Sequence, residues 1–74
     1  PMNLDFLRKV AAGPFPRSVP PGPAFEAVVS YVAAGYLIAE IPPRVQRRSG
    51  TTTQPDLRVI AITPEGQKAL DLLP

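Results

Sequence analysis

The 74-residue chain contains no cysteine and no histidine. Without thiols there is no disulfide to staple a small core and no thiolate metal site. Without imidazole it lacks the commonest metal ligand and the usual general base near neutral pH. No metal and no cofactor is therefore expected. Catalysis would have to rest on paired carboxylates or on an activated Ser, Thr or Lys. The six acidic residues are scattered along the chain with no close pair. Thr51, Thr52 and Thr53 have no base near them in sequence, and the glycines are not spaced as a phosphate cradle. An enzyme is not expected, and no small-molecule substrate is evident. No apolar run approaches the ~20 residues that span a bilayer. The N-terminus shows no cationic flank leading into an apolar stretch. Neither a membrane segment nor a signal peptide is expected, and a cytoplasmic location is the default.

What is present suits one small folded unit, residues 1–74. A chain of this size buries only about 60% of its unfolded surface, so its stability margin is narrow. A hydrophobic content of 45% argues against disorder. The net charge is only +2, but it is unevenly placed. Residues 41–58 hold Arg44, Arg47, Arg48 and Arg58 against Asp56 alone, whereas the rest of the chain holds four basic and five acidic residues. A cluster of that kind attracts polyanions.

Read in order, the chain opens with a helix over about residues 4–12. Asn3 is its cap, Asp5 lies in its first turn, and Leu4, Leu7, Val10 and Ala11 recur at helical spacing until Gly13-Pro14. Residues 13–23 contain five of the eleven prolines and read as a stiff connector, tacked to the core by Phe15 and Val19. A second helix begins at Gly22-Pro23 and stops at Gly35. Phe25, Val28, Val29, Val32 and Tyr36 form its inward stripe, leaving Ala27, Ser30, Tyr31 and Ala34 outward with Glu26 at the edge. The pattern then turns to β. Tyr36–Ile41 and Leu57–Ile62 are rich in branched and aromatic residues and read as a pair of antiparallel strands. Between them, Pro42-Pro43, Ser49-Gly50 and Pro55 mark residues 44–56 as a long polar loop. The strands are apolar on both faces apart from Glu40 and Arg58, so the face turned from the helices needs a cover or a second subunit. Thr63-Pro64-Glu65-Gly66 opens a last helix, with Ala69, Leu70 and Leu73 inward.

Gly35-Tyr36-Leu37-Ile38 and Ile62-Thr63-Pro64-Glu65-Gly66-Gln67-Lys68, at this separation, resemble the second half of a winged helix-turn-helix domain of the bacterial transcription-regulator type. In that family a recognition helix ends in glycine and a hydrophobic pair, and a wing hairpin then runs into a helix that starts with Thr-x-x-Gly. The match covers about residues 24–72. The family has a further helix where this chain has its proline-rich connector, so the helix-turn-helix is abbreviated. The resemblance implies an α+β, winged-helix-like domain of three helices packed on an antiparallel hairpin. It also implies DNA, or alternatively RNA, as the partner. Arg44, Arg47, Arg48 and Arg58 would meet phosphates, with Ser30 and Tyr31 offered from the helix. The alternative on the same scaffold is a protein-interaction or homodimerisation module.

Overall fold

A computed structural model of the protein describes residues 3–73. In chain order the elements are α1 (Asp5–Ala11), β1 (Arg17–Val19), α2 (Pro23–Ala33), β2 (Leu37–Glu40), β3 (Val45–Gln46), β4 (Thr52–Thr53), β5 (Leu57–Ile62) and α3 (Pro64–Asp71). This is the small α+β fold expected, with three helices and antiparallel strands.

Each helix starts where local chemistry satisfies its first amides. The Asn3 side-chain oxygen accepts from the Asp5 N–H at 2.8 Å. Pro23 occupies the first turn of α2, where its missing N–H costs nothing. Thr63 caps α3 by accepting from the Gly66 N–H at 3.0 Å, with Pro64 next in line. Helix α2 ends as Gly35 takes the left-handed conformation, φ +85°.

Strands β2 and β5 pair antiparallel, Leu37 opposite Ile62 and Glu40 opposite Arg58, as the strand pattern predicts. Two features of the sheet depart from expectation. First, the proline-rich connector contains a strand. Arg17, Ser18 and Val19 pair with Val59, Arg58 and Leu57, giving a three-stranded sheet ordered β1-β5-β2. Pro16 and Pro20 flank these three residues, and an edge strand tolerates prolines at its ends because one side of its ladder is unused. Second, the register shifts between Ile38 and Ala39, which leaves Ile60 as an extra residue on β5. The inward residues of β5 are Leu57, Val59 and then Ile62, a step of two followed by a step of three. The bulge absorbs that change of phase and keeps Ile62 against the core.

Leu7 and Val10 of α1, Val19, Phe25, Val28, Tyr31, Leu37, Leu57, Val59 and Leu70 make the core. Tyr31 corrects the orientation expected for α2. Its side chain is buried at 2% exposure, whereas Val29 is 37% exposed. Helix α2 is apolar around most of its circumference, and α1 covers the side bearing Ala27 and Tyr31, so the inward face is rotated from the expected stripe. The Tyr31 ring stacks on Phe6, centroids 6.4 Å apart, and its hydroxyl donates to the Asn3 carbonyl at 2.5 Å. The outer face of the sheet keeps Ile38 at 54% and Ile60 at 37% exposure. Neither α1 nor the connector covers it.

Gly66 is buried at the join between α3 and the start of β2. A Cβ there would overlap the Tyr36 carbonyl oxygen and lie 2.9 Å from Ile62 Cγ1. Gly66→Ala should therefore cost about 1–3 kcal/mol by overpacking, read as a lower urea midpoint with an unchanged slope.

Burial pushes the Tyr31 hydroxyl above its ordinary value of 10.0, the Leu7 backbone pulls the other way, and the nearby Asp5 charge adds to the rise. The folded chain thus holds this proton at a pH where the unfolded chain has lost it. That contribution is complete below about pH 10 and is lost as pH climbs through the raised folded value. Tyr31→Phe should be less stable than the parent at neutral pH, lacking the bond to Asn3. The gap should narrow as urea titrations move above about pH 10.

Candidate nucleic-acid interface

Residues 41–55 hold three arginines and no acid. The structure builds them into a hairpin arm. Pro42 and Pro43 end β2, and the chain then enters β3, whose Val45 and Gln46 pair with Thr53 and Thr52 of β4. The turn is tight. Gly50 donates to the Arg47 carbonyl at 2.9 Å, Arg47 donates to the Thr51 carbonyl at 2.8 Å, and Gly50 sits at φ +87°. A turn of this kind, closed by a left-handed glycine, matches the right-handed twist of a hairpin. The Ser49 and Thr51 hydroxyls bond to each other across it at 2.9 Å. The segment expected as a loop is thus an ordered second sheet. Val45 and the three threonines flanking Arg48-Ser49-Gly50 are the β-branched signal for it.

The arm joins the body at a polar tie. Gln54 Nε2 donates to the Pro42 carbonyl at 2.8 Å and also reaches the Pro55 carbonyl at 3.3 Å. It bridges the two strands where prolines remove ladder donors. The whole molecule measures 49 × 25 × 16 Å, an elongated shape.

The residues anticipated as a site fall into separate places. Arg47 and Arg48 are exposed at the arm tip, and Arg44 is exposed at its base. Arg58 lies on the outer face of the sheet, where its guanidinium is 3.6 Å from Glu40 Oε1 across the strand pair. Both side chains are more than half exposed, so the pair is weak, but it removes Arg58 from the arm's charge cluster. Tyr31 is buried and bonded to Asn3, and its side chain is not available to a ligand. Ser30 is exposed on α2.

Ser30 and Arg44 do share a groove, of about 440 Å³, between α2 and the arm. Pro21, Gly22, Phe25, Glu26, Val29 and Ser30 line it from the helix side, and Arg44 and Gln54 from the arm. Sequence spacing does not reveal this juxtaposition, because Arg44 and Gln54 lie far along the chain from Glu26 and Ser30. The chain matches no protein-family model, no curated protein and no solved structure. Among the described residues no group of His, Asp or Glu side chains is arranged to hold a metal ion. No described helix is long and apolar enough to cross a membrane.

Arg44, Arg47 and Arg48 contribute nothing to the core. Replacing all three by alanine should change the unfolding free energy by no more than about 0.5 kcal/mol per site, measured by urea titration.

Proposed function

We propose that this domain binds nucleic acid, with the arm as a phosphate-contacting wing in a winged-helix-like arrangement. The observation that carries this reading is the arm itself, an ordered hairpin bearing three exposed arginines and no acidic residue. Guanidinium groups match phosphate geometry and are less strongly hydrated than ammonium groups, so arginine is the favoured residue for such contacts. A preformed turn holds Arg47 and Arg48 in place before binding, which lowers the ordering cost. The winged-helix reading is supported by the order of parts: a helix ending in Gly35, the pair Leu37-Ile38, a hairpin, and a helix started by Thr63 with Gly66 in its first turn. A small DNA-binding protein of the transcription-regulator kind is the role that fits those parts.

A second reading, a protein-interaction or dimerisation module without DNA binding, rests on exposed Ile38 and Ile60 on the uncovered sheet face. A partner held equally well at low and high salt would favour it.

The test is an NMR titration of labelled protein with mixed-sequence DNA at about 50 and about 200 mM salt. Shifts should centre on residues 44–54 and fade at the higher salt. The logarithm of affinity should fall by roughly 0.9 per engaged arginine for each decade of salt on a duplex. The triple alanine variant should show no shifts. Shifts unaffected by salt or by that variant would overturn the reading.

A further inference from the structure

The groove between α2 and the arm carries two charges of opposite sign on opposite sides. Arg44 comes from the arm, and Glu26 comes from the first turn of α2. Glu26 is exposed, and among the described residues it makes no ion pair. A carboxylate in that position repels a phosphate running along the helix, so α2 is poorly suited to lie against a duplex backbone. The outward side of the helix adds Ser30, Ala33 and Ala34, which carry no positive charge to offset Glu26. The groove between α2 and the arm suits a smaller occupant, a single unpaired nucleotide, by size and lining. Its volume admits a base, Phe25 and Val29 supply an apolar surface, and Arg44 offers a guanidinium to the attached phosphate.

The polar groups on the helix also discriminate among bases. Glu26 and Ser30 are four residues apart, so they lie on one face of α2 about 6 Å apart along its axis. A carboxylate only accepts hydrogen bonds, and it accepts two in parallel, whereas a serine hydroxyl can donate. Guanine presents two adjacent N–H donors, N1 and N2, beside the O6 acceptor, which is the complement of that pair. Thymine and uracil place carbonyl oxygens on both sides of one N–H and meet the carboxylate with repulsion. Cytosine and adenine offer one amino group beside an unprotonated ring nitrogen. The geometry points to a guanine-selective subsite for single-stranded nucleic acid, with Glu26 on N1 and N2, Ser30 on O6, and Arg44 on the phosphate. This assignment rests on the nucleic-acid reading above and deepens it.

The test uses fluorescence anisotropy with three single-stranded oligothymidylates, one plain, one with a central guanine and one with a central hypoxanthine. Hypoxanthine keeps N1–H and O6 but lacks the 2-amino group. The full chain should bind the guanine oligomer about tenfold more tightly than the plain one, as expected for hydrogen bonds to a charged group, with hypoxanthine between them. Glu26→Gln should abolish that preference while strengthening binding to plain oligothymidylate, since a repulsive charge is removed. Ser30→Ala should reduce the preference in part. Equal affinity for all three oligomers would overturn the guanine subsite and leave arm-driven binding intact. Binding to duplex DNA but to no single strand would do the same. Failure to bind duplex or single strand would overturn the subsite together with the nucleic-acid reading.

Discussion

One threonine links four elements of this fold. Thr63 Oγ1 donates to the Gly35 carbonyl at 2.5 Å while accepting from the Gly66 N–H, and the Thr63 N–H donates to the Tyr36 carbonyl at 3.0 Å. The end of α2, the start of β2, the end of β5 and the start of α3 therefore meet at a single residue. Gly66 permits that meeting because nothing larger fits beside the Tyr36 carbonyl. The helix termini that converge here leave amides and carbonyls without partners inside their own helices, and Thr63 supplies partners for both. With this end of the hairpin fixed, the pairing of β2 with β5 is fixed, and so is the point from which the arm departs.

Charge and burial are cleanly separated along that axis. Among the described residues the interior contains no buried side-chain nitrogen or oxygen without a hydrogen-bond partner, and no charged residue is buried. The arginines instead extend from the far end of the hairpin, where desolvation costs little and long-range attraction is strongest. The core and the arm's positive charge thus depend on different residues. A domain with so narrow a stability margin gains from that division, since changes on the arm do not draw on the core.

Much of this architecture is legible in the sequence, for reasons of strong local chemistry. Thr63-Pro64-Glu65-Gly66 specifies a helix start whatever surrounds it, and Gly35 marks a stop that only a residue free of Cβ adopts easily. The two long strands stand out by their branched residues. Elements whose existence depends on distant partners are less visible. Strand β1 is three residues framed by prolines, and it forms because β5 presents an open edge. Strands β3 and β4 are two residues each and arise from the tight turn that Gly50 closes. The inward face of α2 is only weakly marked, since valine and alanine surround most of the helix and Glu26 and Ser30 alone mark a polar side. Tyr31, with both a ring to bury and a hydroxyl to satisfy, went inward because Asn3 offers an acceptor there. The groove is a product of tertiary structure, since Arg44 and Gln54 share no local pattern with Glu26 and Ser30.

The arm's boundaries have a consequence for how such a chain can diversify. Prolines stand at the junction on both strands, Pro42 and Pro43 on one and Pro55 on the other, so β3 and β4 form a sheet separate from the body. A hairpin isolated in this way can gain or lose residues in matched pairs, one on each strand, without shifting the phase of any core position. Length, tip composition and reach are then free variables for mutation and selection. The body meanwhile keeps its core, Gln54's bridge to Pro42 and the Thr63 junction at the opposite end of the hairpin.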